Sequence, residues 1–170
     1  FWQQGNNAPL TTAAGRLFDA ASALAGVCSE ASFEGQGPML LEAMAARHGD
    51  MDDCLLIPLE LSQEGGVYHV DWSPLIPMLV DESRPQPERA ARFHISMAHS
   101  LLQQALRLRE NAGVNSIGLA GGVFQNRVLT EKCLELLKAN GFETTLPLLI
   151  PVNDAGISFG QIIDYGYKRR

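Results

Sequence analysis

Three short segments carry residue types whose spacing could do chemistry. In TTAAGRLFDA, Thr11 to Ala20, Gly15 and Asp19 stand four apart. On a helix they share one face, with a gap above and a carboxylate below. Glycine inside a helix costs about 0.5 to 1 kcal/mol relative to alanine, so either close packing of another backbone or room for a ligand should recover that loss. A carboxylate beside such a gap suits ribose hydroxyls, and equally suits bulk water. The second segment, GLAGGVFQNRVLTEKC from Gly118 to Cys133, sets Gly121 and Gly122 between an apolar run and a helix-forming run. A strand that turns at once into a helix exposes backbone N–H groups where the helix dipole favours an anion. The same double glycine also serves an ordinary tight turn. Asn126 is predicted just inside that helix, facing the crevice or solvent. The third segment is Asn153-Asp154-Ala155-Gly156. Asp154 suits a helix N-cap, and a carboxylate at such a junction also suits a hard or borderline metal ion.

Other chemistries find little support. His48, His69, His94 and His99 show no metal-binding spacing; His94 and His99 are five apart, on different faces of a helix, where a paired site prefers four. No GxSxG elbow or Walker phosphate loop is present. The three cysteines, Cys28, Cys54 and Cys133, are odd in number and form no CxxC pair. They read as inert core thiols in a reducing compartment, which implies a cytoplasmic protein. With 19 acidic against 13 basic residues and a net charge of -6, a broad nucleic-acid footprint is not expected. No apolar run approaches the ~20 residues of a membrane span. The first residue is Phe1 rather than Met, so the sequence reads as beginning inside a longer protein.

Periodicity supplies the elements that must position these segments. Phe1 to Pro9 reads as a loop. A helix follows Thr11 or Thr12, with Leu17, Phe18, Ala21, Leu24 and Ala25 at helical spacing and Gly26 as its stop. A second runs from about Gln36 to Arg47. The runs Cys54–Leu61 and Val67–Trp72 flank Gln63–Gly66 and predict a hairpin, with Pro58 pushing the first strand to an edge. Pro74 opens a short helix, and residues 82–87 are a connector. The longest helix spans about Pro87 to Gly113, with Phe93, Met97, Leu101, Leu102, Ala105 and Leu108 as its stripe. A strand (Ser116–Ala120), helix (Val123–Ala139), strand (Phe142–Leu146) and last helix (Ala155 to about Tyr167) complete a βαβα run. The expected class is α/β, a mixed, largely parallel sheet with flanking helices and an inserted hairpin, in a single unit over residues 1–170.

Taken together, TTAAGRLFDA, FEGQG, LLEAMA, ARFH, AGGVFQNRVL and PVNDAGISFGQ resemble, in order and over nearly the whole chain, the C-terminal part of the HypF carbamoyltransferases, which help build the cyanide ligands of nickel-iron hydrogenases. The resemblance implies one lobe of a ribonuclease-H-like fold, of the sugar kinase, Hsp70 and actin (ASKHA) superfamily, with a nucleotide in the cleft. It implies that Gly15 and Asp19 contact the ribose side of an adenylate, that Gly121, Gly122 and Asn126 meet the adenosine from the other wall, and that Asp154 is a catalytic metal ligand. The implied cofactors are ATP or carbamoyl-adenylate and a divalent metal, whether iron, zinc or magnesium. The implied partner is a HypE-type maturation protein whose C-terminal cysteine receives the carbamoyl group.

A related family, the tRNA threonylcarbamoyl-adenosine enzymes, usually carries Glu after the helix glycine and Lys after the helix aspartate. Here Arg16 and Ala20 stand there, and FEGQG and VFQN also match the hydrogenase-maturation branch. One departure is Ala155, where the family pattern expects glycine. The acylphosphatase-like, zinc-finger and adenylate-forming domains of the family, and the other half of the catalytic module, are not visible in these residues. The fragment alone is therefore expected to be inactive. A tRNA-modifying lobe and a module that docks the partner without binding nucleotide are the alternatives.

Overall fold

The computed structural model describes residues 11–169, so the loop expected over Phe1 to Pro9 lies outside the described residues. Ten elements follow in order: α1 (Ala14–Leu24), α2 (Gln36–His48), β1 (Leu61–Glu64), β2 (Val67–Val70), α3 (Leu75–Leu79), α4 (Gln86–Ala112), β3 (Ser116–Gly118), α5 (Arg127–Ala139), β4 (Glu143–Thr145) and α6 (Ile157–Tyr167). The molecule is α/β, but no single mixed sheet forms among the described residues. Instead β1 and β2 make an antiparallel hairpin, and β3 and β4 make a separate parallel pair.

The spine is α4. Its 27 residues are framed by Pro87 in the first turn and by Gly113, whose left-handed backbone lets its N–H close on the Arg109 carbonyl. Apolar periodicity places α4 well but misjudges its buried face. Phe93, Leu102 and Ala105 are buried as expected, whereas Leu108 is exposed and the core instead takes Ala90, Ala91, Ile95, Ala98 and the polar His94. Small residues there let α2 and α5 approach closely, while α1 reaches α4 through the Phe18 ring. Phe18 and Ala21 of α1, Leu41 and Ala45 of α2, Leu75 and Leu79 of α3, and Cys133 and Leu137 of α5 share a core with Ala90, Phe93 and Ala98 of α4, while Ala91 and Ile95 pack with Leu55 in a smaller second cluster.

The predicted first strand does not form over Cys54–Leu61. Asp52 caps a tight 3-10 turn at Asp53–Leu55 through the Cys54 N–H, and the Ile57 N–H donates to Ser96 Oγ of α4 at 3.0 Å. With that N–H committed and Pro58 having none to give, the hairpin begins only at Leu61. It is paired Leu61 with Val70 through Glu64 with Val67 across the Gly65-Gly66 turn. The parallel pair runs from Ser116 opposite Glu143 to Gly118 opposite Thr145.

The cysteine expectation is corrected in part. Cys133 is buried, and burial pushes its thiol up to about 12. Cys28 is only half-buried and Cys54 is exposed. No described helix is long and apolar enough to cross a membrane. At the other end of the chain, α6 contributes no buried residue, and Leu148, Leu149, Phe159, Ile162 and Ile163 all face outward.

Candidate functional site

Four segments distant in sequence meet at one cavity of about 690 Å³. The N-terminal turns of α1 give Gly15, Arg16, Phe18 and Asp19. The start of α2 gives Glu34, Gly35, Met39 and Glu42; the turn after β3 gives Gly121 to Val123 with Gln125 and Asn126; and the junction before α6 gives Asn153 to Ala155. All six residues singled out in the sequence therefore line a common space: Gly15, Asp19, Gly121, Gly122, Asn126 and Asp154.

Gly15 sits where an added Cβ would meet nothing within 4 Å. Close backbone packing is thus excluded as the reason for a glycine here, and the missing side chain opens onto the cavity. Gly15→Ala is expected to raise the stability of the chain by up to about 0.5 kcal/mol, because it lowers the entropy of the unfolded state, and to weaken any ligand held against α1. A thermal melt beside a titration separates the two effects, and a destabilised variant would contradict the open space.

Gly121 answers a different need. Its φ of 110° and ψ of 154° fall in a region essentially closed to residues with a Cβ. The left-handed backbone lets its N–H reach the Val152 carbonyl at 2.7 Å, which ties the turn after β3 to the loop before Asp154.

The anion site expected at the start of the following helix is already filled. A 3-10 turn over Gly122–Gln125 intervenes, so α5 begins only at Arg127. Its first N–H, that of Arg127, donates to Glu42 Oε1 at 2.8 Å, and the Leu129 N–H donates to Asn126 Oδ1 at 2.9 Å. The protein's own carboxylate and amide answer the helix dipole. Asn126 is therefore the N-cap rather than a first-turn residue, and it is 8% exposed.

Asp154 does not cap α6. The N-cap position of α6 is Gly156, which has no side chain to give; Asn153 instead caps the 3-10 turn Asp154–Gly156 just before it, its Oδ1 accepting from the Ala155 N–H at 3.2 Å. The Asp154 side chain is left exposed, and among the described residues its carboxylate has no hydrogen bond or ion pair; its backbone carbonyl accepts from the Ile157 N–H. Those residues contain no group of three or more His, Cys, Asp or Glu that could hold a metal ion. Asp154 alone does not make a metal centre.

Charge completes the picture. One guanidinium faces four carboxylates, those of Asp19, Glu34, Glu42 and Asp154. Arg16 Nη1 lies 3.2 Å from Asp19 Oδ2 and Nη2 lies 3.6 Å from Glu34 Oε1, so Arg16 bridges the α1 and α2 walls. Such a cavity favours hydroxyl and N–H donors over bare phosphate. The residues that sequence reasoning missed are Glu42, whose helix-capping role needs the three-dimensional approach of α2 to α5, and His94, whose Nε2 meets the Asn126 amide. ARFH places His94 in a motif but gives no sign of that contact.

A family model for the carbamoyltransferase Kae1-like domain, second subdomain, matches residues 1–161. The chain belongs to the HypF carbamoyltransferase family. It is 35% identical over 163 residues to the carbamoyltransferase HypF of Synechocystis, and 33% identical over 164 residues to the probable carbamoyltransferase HypF of Methanocaldococcus jannaschii. In each case 95% of this chain is covered, against only 20% and 21% of the relative. The chain thus spans about a fifth of the length of these HypF proteins. Among solved structures, full-length HypF in its phosphate- and nucleotide-bound form superposes with a TM-score of 0.76 at 33% identity, over 86% of this chain and 19% of that one. The HypF of T. kodakarensis, at 24% identity and a TM-score of 0.73 over 89% of this chain and 19% of that one, shares the fold.

Proposed function

We propose that this chain is one lobe of a HypF-type carbamoyltransferase module, of ribonuclease-H-like architecture within the sugar kinase, Hsp70 and actin superfamily. In this reading it holds the adenosine end of carbamoyl-adenylate while the carbamoyl group passes to the C-terminal cysteine of a HypE-type partner. The observation that carries the reading is the convergence of Gly15, Asp19, Gly121, Gly122 and Asn126 on one cavity. That a structural relative is described in a nucleotide-bound form supports it.

The electrostatics favour the nucleoside end of such a ligand here. With the start of α5 answered by Glu42 and Asn126, the walls offer carboxylate acceptors to donors. Asp19 and Glu34 are placed to accept ribose hydroxyls, and the phosphate is directed away from these walls, toward the open side. The partner's thiolate attacks the carbamoyl carbon, the bond from that carbon to the phosphate oxygen breaks, and AMP departs with the electron pair. This lobe's share is to hold the leaving nucleotide in place. Cys133 cannot serve as nucleophile, being buried with its thiol pushed up to about 12. Asp154 would offer at most one donor to a divalent metal whose other ligands lie elsewhere.

The exposed apolar surface of α6 and Leu148–Leu149 fits a lobe that normally packs against further protein. Calorimetric titration of ADP and ATP into the chain tests the reading. Weak binding is expected, with Asp19→Ala losing about 1.5 to 3 kcal/mol, the range of a hydrogen bond to a charged group. Absence of binding by the folded chain, or an Asp19→Ala variant that binds as well as the parent, would count against the nucleoside wall. Efficient carbamoyl transfer by this chain alone would sink the single-lobe account.

A further inference from the structure

One wall of the cavity is held by a residue outside it. His94 is fully buried on α4. Its Nδ1 lies 2.8 Å from the Ala90 carbonyl, an atom that only accepts, so Nδ1 carries the ring proton. Nε2 is then a lone pair, and it accepts from the Asn126 amide nitrogen at 2.9 Å. The other end of that amide, Oδ1, accepts from the Leu129 N–H at 2.9 Å. Together these bonds permit one orientation. An Asn126 amide turned end for end would set its oxygen against the imidazole lone pair and its NH₂ against a backbone N–H.

The Phe18 and Phe93 rings stand edge-on to the imidazole, their centroids 5.4 and 5.8 Å from its own. They hold the ring in place without offering it a second acceptor or donor. Asn126 also anchors both sides of its own position through the backbone. Its N–H closes the 3-10 turn on the Val123 carbonyl, and its carbonyl accepts from the Thr130 N–H of α5.

We propose that His94 is a positioning residue for the cavity: through its Nε2 lone pair it fixes the Asn126 amide, and with it the Gly121–Asn126 wall against which a nucleoside is held. The proposal rests on the nucleoside reading above and adds to it the group that sets one wall. With the amide fixed, a ligand meets at most one remaining N–H and one remaining oxygen lone pair of Asn126, always in the same places. A leucine at position 94 would fill the core with no polar group to satisfy, yet would leave the Asn126 donor unanswered.

The first measurement is the nitrogen NMR spectrum of the histidine rings in the chain without ligand. His94 is expected to show a protonated Nδ1 and an unprotonated Nε2 at neutral pH; the opposite tautomer would overturn the proposal. ADP is then titrated into the chain and into His94→Leu and His94→Gln, each with a melting curve to establish folding. Glutamine keeps an acceptor for Asn126 and leucine does not, so His94→Leu is expected to bind about tenfold more weakly and His94→Gln within about threefold of the parent. A folded His94→Leu that binds like the parent overturns the positioning role and leaves the nucleoside reading standing. A parent chain that binds no ADP overturns the nucleoside reading, and this proposal with it. If neither variant folds, the side-chain amide signal of Asn126 in the parent decides: a shift on adding ADP supports the proposal, and an unmoved signal in a chain that binds overturns it.

Discussion

Replacing Phe18 with alanine is expected to remove about 3 to 5 kcal/mol of stability, the range for deleting a large aromatic side chain from a packed core. Phe18 is 1% exposed, and its ring meets Phe93 edge-on at 4.9 Å between centroids and His94 at 5.4 Å. The same residue lines the floor of the cavity, one position before Asp19. Deleting the ring leaves a void between α1 and the Phe93 and His94 rings of α4. Because domains of this size are typically stable by only about 5 to 15 kcal/mol, the loss would put a large fraction of the chain in the unfolded state under mild denaturant. Urea unfolding followed by circular dichroism checks it, with Phe18→Leu as a partner variant expected to lose less than half as much because most of the volume is kept. A Phe18→Ala loss below about 1 kcal/mol would mean that α1 is not pinned to α4 through this ring, and that the α1 wall of the cavity draws its position from somewhere else.

Helical period was enough to find α1, α2, α4 and α5 in the sequence, because each has an apolar stripe and a stop such as Gly113 at the end of α4. It could not find the buried face of α4 correctly. His94 counts as polar in any periodicity, and its place in the core depends on two partners, Ala90 on its own helix and Asn126 from a segment 32 residues away. The strand placed over Cys54–Leu61 fails for a similar reason: what holds that segment is the long-range bond from Ile57 to Ser96, which local propensity does not encode. At the cavity, residue type and spacing brought out Gly15, Asp19, Gly121, Gly122, Asn126 and Asp154. What they could not supply was occupancy. The helix start expected at Val123, directly after the double glycine, looks like an anion site from the sequence; in the structure the helix begins at Arg127, and its first N–H is taken by Glu42, a residue 85 positions earlier. Likewise Asn153 and Asp154 are neighbours that could each cap the last turn, and only the backbone decides that Asn153 does so and leaves Asp154 exposed.

The buried imidazole also makes the fold sensitive to mild acid. Burial pushes His94 from its ordinary value of 6.5 down to about 4, against a smaller opposing effect of the Ala90 carbonyl. As pH falls below 6.5 the unfolded chain takes up a proton on this ring and the native chain does not, so the unfolded state is favoured progressively until about pH 4, where the native ring titrates too. Over that window the stability should fall by about 3 kcal/mol. The shifted carboxylates act lower on the scale. The hydrogen bond from His99, and after it Lys132, holds Asp53 below its usual value, and Arg92 and Arg84 do the same for Glu88. Their contribution is complete above the unfolded carboxylate range and is lost as pH drops through their lowered folded values, mostly after the His94 effect is spent. Urea unfolding at intervals from pH 7 to pH 4 should therefore show a steady decline that His94→Gln lacks, even where that variant starts out less stable. Parallel curves for the two proteins would mean that the native imidazole is protonated as readily as the unfolded one, through solvent or a hydrogen-bond acceptor that stabilises the imidazolium. The lone pair facing Asn126 would then not be what holds that wall of the cavity.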